Sequence, residues 1–297
     1  MSKSVLVVAG CCADIIFTGL QRIPALGQEE YGDGLYLRPG GGANTAYMLG
    51  KLGTPVAMLT VIGNDFFGNC IIDTLSSASV EMSLVKKMPV TSVSAVMVCG
   101  NERSFASYSA NDFHPTQDEI RSALHERSIV HSYLYYSSVF SLPRLCSKQG
   151  ILLFLDAGWG FFPKGDELKK ILDGVWVFKL NRAEAQAMTQ EQTPEEMLNV
   201  LSKMCANVII TLGEDGCAAV INSIYYRVKA PGITVVDTTG SGDAFSAGFL
   251  SGYVEGLDGQ ALLERACKAG SYCATLVGGT DPAFSREALL QLAGGME

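Results

Sequence analysis

Short apolar runs of β-strand length alternate with longer helical patterns through most of the sequence. The runs at residues 4–9, 55–61, 152–156 and 207–211 are rich in Val, Ile and Leu, and several are apolar throughout. Such runs are typical of parallel strands that helices cover on both faces. The alternation therefore predicts a mostly parallel sheet with helices on both sides. Further strands are predicted at 133–137, 175–179 and 217–221, and helices at 44–52, 69–78, 116–127, 164–172, 183–188, 194–203, 243–255 and 260–276.

Two regions interrupt this alternation. Residues 14–20 and 31–38 form a pair of extended segments, and residues 93–99 and 104–109 form a hairpin around Gly100-Asn101-Glu102-Arg103. No helical pattern covers either pair. We expect a small separate sheet that serves as a lid or as a dimer surface, with an edge extension of the main sheet as the alternative.

The bulk composition narrows the class of protein. The 297 residues suit one large α/β domain or two small ones, and 48% hydrophobic with 18% charged residues is typical of a globular chain. A net charge of -8 argues against a nucleic-acid-binding surface. Because no apolar run suits a signal peptide or a membrane span, we expect a cytoplasmic protein. The nine cysteines lack a C-x-x-C pair, so packing in a reducing compartment is favoured over chemistry, even for Cys11-Cys12.

The strongest chemical signal lies in residues 235–249. The β-type pair Val235-Val236 leads into a Gly240-Ser241-Gly242 turn and then into a helix rich in small residues. Such a turn leaves backbone N–H groups free at the helix start, where they and the helix dipole attract an anion. Asp243 follows in the first turn, where a carboxylate could take a proton from a hydroxyl during phosphoryl transfer. The alternative is a helix-capping aspartate with a glycine turn.

A second signal is the triple glycine Gly40-Gly41-Gly42, which opens the helix that contains Asn44. Backbone amides and Asn44 could bind the hydroxyls of a neutral sugar. Asp14, just beyond the first strand, could accept hydrogen bonds from two hydroxyls at the edge where α/β sheets bind ligands. The alternative is a flexible loop followed by an N-cap asparagine.

Two weaker signals follow. Asn181 and Glu184 share a face of a first helical turn and could hold Mg²⁺ through water, although an N-cap with its capping-box glutamate gives the same pattern. Residues 211–216, with Thr211, Gly213 and Gly216, could touch a nucleotide or form only a hairpin turn. Neither a P-loop nor a dinucleotide-binding G-x-G-x-x-G motif occurs at the expected place.

Taken in order, these segments resemble the ribokinase-like, or PfkB, family of carbohydrate kinases. The N-terminal signature of the family matches residues 40–46, Gly50, Gly53 and residues 63–68, and its C-terminal signature matches residues 237–243. The resemblance implies a three-layer α/β/α sandwich with a mostly parallel sheet and a small β-sheet lid. It also implies a single kinase domain over residues 1–297, with lid segments at about 14–38 and 93–109.

The resemblance further implies an ATP-dependent transfer of phosphate to a sugar hydroxyl. Asp243 would deprotonate that hydroxyl, and the backbone amides around Gly240, Ser241 and Gly242 would stabilise the charge on the phosphoryl group. The residues that would hold the sugar are Asp14, Gly40, Gly41 and Asn44. Those that would line the ATP site or place Mg²⁺ and phosphates are Thr211, Gly213, Gly216, Asn181 and Glu184. As in many members, a monovalent cation such as K⁺ would sit near Asp237 and Thr239, with carbonyls from about residues 276–279.

The acceptor remains open at this point. The lysine that ribokinase carries in its glycine segment is absent, and residues 100–105 and 156–159 look more like sugar kinases of mixed specificity. Arg103 could meet a substrate oxygen or anion, or could be a solvated residue at a hairpin tip. We also expect a homodimer that pairs through the lid.

Other interpretations remain beside the sugar kinase. A nucleoside kinase would need stacking aromatics, which the lid segments carry, although these rings could equally pack only the lid itself: Phe17, Tyr36, Phe105 and Tyr108. A kinase of phosphorylated sugars is less favoured, because only Arg38 and Arg103 flank the substrate motif. A sugar-binding regulator without catalysis is the remaining alternative, against which the intact Asp243 argues.

Overall fold

The computed structural model describes residues 3–100, 102–110, 113–158 and 160–292, with only the backbone of Glu102; the motif residues Asn101 and Trp159 lie outside them. The strands are Val5–Val8 (β1), Cys11–Thr18 (β2), Gly34–Gly41 (β3), Val56–Gly63 (β4), Val85–Met88 (β5), Val93–Cys99 (β6), Glu102–Tyr108 (β7), Ile129–Tyr133 (β8), Leu152–Asp156 (β9), Val177–Asn181 (β10), Val208–Thr211 (β11), Cys217–Ile221 (β12) and Ile224–Val228 (β13). The helices are Gly42–Lys51 (α1), Phe66–Ser77 (α2), Gln117–Leu124 (α3), Leu134–Phe140 (α4), Leu142–Ser147 (α5), Gly165–Leu172 (α6), Arg182–Thr189 (α7), Pro194–Leu201 (α8), Ser241–Val254 (α9), Gly259–Ala274 (α10) and Arg286–Gln291 (α11).

The large sheet has the strand order β13-β12-β11-β10-β9-β8-β1-β4-β5 within the described residues. All neighbours from β5 to β11 pair in parallel, and only β12 and β13 are antiparallel additions at one edge. The prediction of a mostly parallel sheet is therefore confirmed. This topology places the carboxyl ends of the parallel strands at one edge, where α/β proteins bind ligands.

Helices pack on both faces of the large sheet, as the apolar strands require. In β1, Val5 and Val7 enter the core beneath α1, α9 and α10, whereas Leu6 and Val8 enter the core beneath α3 to α8. Successive strand residues point to opposite faces, so a strand that is buried on both sides must be apolar at every position. The result is the expected three-layer arrangement.

The second sheet is built from the two helix-free regions, and the alternative of an edge extension is wrong. Its order is β3-β2-β6-β7, with β2 parallel to β6 and the other pairs antiparallel. Its first two strands are shifted by about three residues from the predicted 14–20 and 31–38, because β2 spans Cys11–Thr18 and β3 spans Gly34–Gly41. The segment Gly10 to Gly42 thus leaves the main sheet after β1, forms two lid strands and returns to start α1.

Two sequence predictions of strands are wrong. The strand predicted at 133–137 instead ends at Tyr133, and its aromatic residues belong to α4. The true strand β8 contains His131 and Ser132, which break the apolar pattern but are buried with partners. The pair Val235-Val236 forms no strand, since its backbone bonds only to the Ala274 carbonyl at the end of α10 and both side chains are half-exposed.

None of the described helices combines the length and hydrophobicity that a membrane span requires. The nine cysteines are all free thiols.

Candidate active site

A cleft of about 710 Å³ separates the main sheet from the lid at the carboxyl ends of the parallel strands. It brings together most of the residues predicted to carry chemistry: Asp14, Gly41, Asn44, Arg103, Asn181, Glu184, Thr211, Gly213, Thr239, Gly240, Gly242 and Asp243. Ser241 and Gly216 line an adjoining pocket of about 360 Å³ on the far side of the same loop. Gly40 and Asp237 lie directly behind the cleft wall, against Asp14 and Thr239 respectively.

The loop before α9 needs glycine for two reasons. Gly240 has a left-handed backbone with φ of 77°, and a Cβ there would lie 2.6 Å from the Cα of Gly279. It occupies the N-cap, so Asp243 is not the capping residue that the alternative required. The Ser241 amide donates to the Thr238 carbonyl at 3.2 Å, whereas Gly242 and Asp243 belong to a first turn whose N–H groups have no acceptor in their own helix.

Asp243 is held at the floor of the cleft by three donors from two elements, β8 and α1. Tyr133 donates to Oδ1 at 2.8 Å, Asn44 Nδ2 donates to Oδ2 at 3.0 Å, and Thr45 Oγ1 approaches Oδ1 at 3.5 Å. Burial, reinforced by the nearby carboxylate of Asp156, raises the pKa of Asp243. A carboxylate with a raised pKa is a stronger base than a solvated one, and its orientation here is fixed.

A buried polar network lies directly behind Asp243, and the sequence interpretation missed it. Lys179 Nζ lies 2.8 Å from Asp156 Oδ1 and donates to the Gly242 carbonyl at 2.9 Å. His131 Nε2 and the Ser246 hydroxyl both approach Asp156 Oδ2 at 2.9 Å. Burial would lower the pKa of Lys179, but the Asp156 carboxylate outweighs it and raises the pKa. This charged pair thereby links β9 and β10 to the first turn of α9.

Asp14 faces the cleft from the lid strand β2. Gly40 lies on the neighbouring strand β3, where it pairs with Cys12, and any Cβ at that position would collide with the Asp14 carboxylate. Cys12 Sγ donates to Asp14 Oδ1 at 3.2 Å. Burial is the largest cause that raises the pKa of Asp14 to about 6, and the carboxylates of Asp243 and Asp237 add to it. The Oδ1 atom of Asn44 is also buried in this region without a hydrogen-bond partner, so it suits a bound donor.

Asn181 and Glu184 form the capping box that begins α7. Asn181 Oδ1 accepts from the Glu184 amide at 2.9 Å, and Glu184 Oε2 accepts from the Asn181 amide at 2.7 Å. Both residues also line the cleft, so the capping role and a ligand role are compatible. Burial raises the pKa of Glu184, whereas a cation bound in the cleft would lower it. Among the residues that the structure describes, no group of three or more His, Cys, Asp or Glu could enclose a metal ion.

Asp237 anchors the loop that precedes Gly240. Its Oδ1 accepts from the amide and hydroxyl of Thr239 at 2.8 and 2.7 Å, and its Oδ2 accepts from the Gly278 amide at 2.9 Å. From the lid, Arg103 Nη1 donates to the Thr238 and Thr239 hydroxyls at 3.2 and 3.0 Å. Arg103 is therefore a bridge between the lid and this loop, and is not a solvated hairpin-tip residue.

The adjoining pocket lies between the turn at Thr211 to Gly216 and the end of α10. Its walls are largely apolar and include Val235, Phe245, Cys267 and Ala274. It meets the cleft at Thr211, Gly213, Thr238 and Gly242, which line both. The loop before α9 thus separates two cavities. Many charged and polar side chains line the cleft, whereas the adjoining pocket is largely apolar.

The sequence interpretation missed Tyr133, Asp156, Lys179 and His131 at the site. Each lies at or near the carboxyl end of a parallel strand, and that position was the signal that could have found them. Tyr133 escaped because the strand was predicted at 133–137, four residues later than β8, so Tyr133 stood at its start and not at its carboxyl end.

Comparisons with known proteins show similarity along nearly the whole chain. The family model described as "pfkB family carbohydrate kinase" matches residues 2–285. An ATP-dependent 6-phosphofructokinase of Thermoanaerobacterium thermosaccharolyticum is 28% identical over 288 residues, which cover 89% of each chain. A fructoselysine 6-kinase of Escherichia coli K12 is 28% identical over 243 residues, which cover 79% of this chain and 87% of that protein. The solved structure of Arabidopsis thaliana ribokinase with ribose and ATP has a TM-score of 0.84 at 25% identity, with 98% and 99% of the two chains covered.

Proposed function

The chain belongs to the pfkB family of carbohydrate kinases, which are phosphotransferases with hydroxyl acceptors, and we propose that it phosphorylates a hydroxyl of a small sugar or sugar-like molecule from ATP with Asp243 as the base. The observation that carries this proposal is the position of the Asp243 carboxylate. It lies next to the first-turn amides of α9, where the polar cleft meets the apolar pocket. A phosphoryl donor on one side and an acceptor on the other would then meet at one carboxylate.

Asp243 accepts the proton of the attacking hydroxyl. Tyr133, Asn44 and Thr45 hold the carboxylate in place and leave it facing the acceptor side. Burial raises the pKa of Tyr133 well above its ordinary value, so this residue stays a donor throughout. The amides of Gly240 and Gly242 with that of Asp243 stabilise charge on the transferring group, aided by the helix dipole. Because the Ser241 amide is bonded to Thr238, Ser241 contributes mainly through the loop shape.

The acceptor lies on the lid side of Asp243. Asp14 accepts from its hydroxyls, Asn44 Oδ1 accepts a further donor, and Gly40 and Gly41 leave room for the ligand against the backbone. Support comes from the buried, unpartnered Oδ1 of Asn44 and from the clearance that Gly40 gives to Asp14. The nucleotide lies on the other side, with its base in the apolar pocket beside Thr211, Gly213 and Gly216.

Mg²⁺ and a monovalent cation fit the residues present. Glu184 is buried in the cleft wall with a raised pKa, so a cation held through water beside the phosphates would favour its charged form. When bound, Mg²⁺ neutralises charge on the phosphates. Asp237 is a buried carboxylate whose nearest cation among the described residues is Arg103 at 3.9 Å, and the loop near Gly278 packs against it. This surplus negative charge suits K⁺ near Asp237 and Thr239.

Two copies of the chain pair through the outer face of the lid. That face carries the half-exposed or exposed side chains of Phe17 (38%) and Leu35 (67%) beside Met97. Such an apolar patch on a sheet is typical of an interface. Light scattering is expected to give twice the monomer mass, and Leu35→Glu is expected to give the monomer. A monomeric wild-type protein at high concentration would contradict this pairing.

The test of the kinase function is ADP release from ATP and Mg²⁺ over a panel of sugars and nucleosides. At least one acceptor is expected to release ADP in proportion to the phosphorylated product. Tight binding of a sugar by calorimetry without any release of ADP would favour the sugar-binding regulator instead.

A further inference from the structure

A third pocket, of about 300 Å³, opens from the acceptor side of the cleft. We call it the annex. It shares five residues with the cleft: Cys12, Gly41, Ser94, Tyr135 and Tyr136. The two volumes are therefore continuous, and the annex extends away from Asp243 between the lid and the helix α4. Its size is at the lower limit of pockets that bind small molecules, so it suits one substituent of an acceptor rather than a second ligand.

Aromatic side chains form the wall of the annex. Phe113 packs edge-on against Tyr136 with ring centroids 5.2 Å apart, and Tyr136 stacks on Phe140 at 6.0 Å. Those contacts fix the Tyr136 ring, and its hydroxyl lies against Gly10. Tyr135 and Tyr108 stand at the mouth and are 52% and 58% exposed, so their faces are available to a ligand. Fixed rings beside two exposed tyrosines make a stacking site.

Most polar side chains of the annex are hydroxyls, accompanied by the thiols of Cys11 and Cys12 and by the exposed imidazole of His114. The Ser94 and Ser107 hydroxyls lie 2.8 Å apart, and Ser92 Oγ accepts from the Ala110 amide at 3.0 Å. Among the described residues, no lysine or arginine lines the annex. The nearby guanidinium of Arg103 is bonded to Thr238 and Thr239. A phosphate is bound best by several charged donors or free amides, and the described lining of the annex offers only the exposed His114 imidazole.

We propose that the annex binds an uncharged, planar aromatic ring attached to the acceptor sugar. The preferred acceptor is then a sugar with an aromatic substituent, such as a nucleoside or an aryl glycoside. This inference rests on the proposed kinase function. It excludes a sugar phosphate as the preferred acceptor, even though one relative is a 6-phosphofructokinase. Stacking on an aromatic side chain contributes about 1–3 kcal/mol per base, which corresponds to roughly a tenfold to hundredfold preference.

The test compares kcat/KM for five acceptors: ribose, adenosine, phenyl ribofuranoside, fructose and fructose 6-phosphate. Adenosine or phenyl riboside is expected to exceed ribose by about tenfold or more, and fructose is expected to exceed fructose 6-phosphate. A higher kcat/KM for adenosine than for phenyl riboside would indicate that the annex serines form hydrogen bonds with the edge of the base. Equal values would indicate that the ring is bound by stacking alone. Fructose 6-phosphate as the best acceptor, or ribose within threefold of both ring-bearing compounds, would overturn the inference while the kinase function stands. No turnover of any acceptor would contradict the kinase function itself.

Variants at the mouth of the annex sharpen the test. Tyr135→Ala is expected to lower the ratio of kcat/KM for the ring-bearing acceptor over ribose by about tenfold, in line with the loss of one stacking partner. The matched control is Tyr225→Ala, which removes a tyrosine of similar exposure (47%) from β13, far from the cleft. Tyr108→Arg places a cation at the mouth and is expected to raise the ratio of fructose 6-phosphate over fructose. Unchanged ratios in both folded variants would overturn the assignment.

Discussion

The loop that carries Asp243 and the lid that carries Asp14 face each other across one cleft, but they are held in different ways. The loop starts α9, which is buried along most of its length and packs so closely on α10 that a Cβ at Gly248 would lie 2.6 Å from that of Ala269. The lid has a small apolar cluster of its own, centred on Ile16, Val96 and Val98, and exposes its other face.

This difference separates chemistry from recognition. The groups proposed for phosphoryl transfer are fixed by the same packing and buried charges that stabilise the main sheet. Of the groups proposed for the acceptor, Asn44 lies on α1, whereas Asp14, Gly40 and Gly41 lie on the lid sheet, which has a small apolar cluster of its own. Variants near the loop should therefore lower catalysis and stability together. Variants on the lid should change binding of the acceptor with little loss of stability.

The largest effect is expected from Asp243→Asn. Loss of the base is expected to lower kcat by about two to four orders of magnitude, while the contacts proposed for Asp14 and Asn44 keep the acceptor bound. Steady-state ADP release with calorimetric binding of the acceptor measures both quantities. A variant that retains activity within a few-fold of wild type would remove Asp243 from the mechanism.

Lys179→Met tests whether the catalytic side is coupled to stability. It leaves the Asp156 carboxylate buried without its cation, and breaking a buried pair typically costs about 3–5 kcal/mol. Urea unfolding should show this loss together with lower kcat, since Lys179 also holds the Gly242 carbonyl. The exposed Lys169→Met is the control and should change stability by less than about 0.5 kcal/mol. A loss below about 1 kcal/mol for Lys179→Met would argue against this coupling.

Asp14→Asn tests the acceptor side and its pH dependence. The loss of a charged acceptor is expected to raise KM for the sugar by about 10- to 100-fold, because hydrogen bonds to charged groups contribute about 1.5–3 kcal/mol. For the wild type, KM should also rise as the pH falls through about 6, where Asp14 takes up a proton. Initial rates between pH 5 and 8 measure both effects.

The same variant should be more stable than wild type at neutral pH. A carboxyl whose pKa is raised from 3.8 to about 6 costs stability once it is ionised in the folded protein, and that cost disappears as the pH falls below about 4. The gain from Asp14→Asn is expected to be about 1–3 kcal/mol at pH 7.5 and smaller at pH 4.5. A gain that does not depend on pH would contradict this account.

Arg103→Ala should give the smallest effect. It removes the donors that join the lid to Thr238 and Thr239, and a partly exposed contact of this kind contributes about 1 kcal/mol. KM for the acceptor is expected to rise a few-fold, with unfolding free energy nearly unchanged. Arg22→Ala, which removes an exposed lid-side pair with Glu30, is the control. A large loss of stability for Arg103→Ala would mean that the lid is not an independent unit.

The sequence predicted the turns and strands of this molecule better than the side-chain contacts between distant residues. Glycine turns and apolar strands have local causes, so the Gly240 loop, the triple-glycine start of α1 and the separate lid sheet could be inferred. The Asp156–Lys179 pair could not, because the order of strands sets which buried charges meet, even though each residue lies near the end of a predicted strand. Likewise, His131 and Ser132 obscured β8, since only the fold provides the partners that let polar residues enter a strand.

The contacts of Gly278 and Gly279 have a consequence for the newly made protein. Gly278 donates to Asp237, Gly279 packs on Gly240 and Asn44, and Thr280 reaches Pro39 across 241 residues of sequence. The wall of the cleft around Gly240 therefore cannot be completed before this late segment has been synthesised. A nascent chain would hold Asp14 and Asn44 without the support behind the loop that precedes α9, so the proposed site should form only after residues 278–280 have left the ribosome.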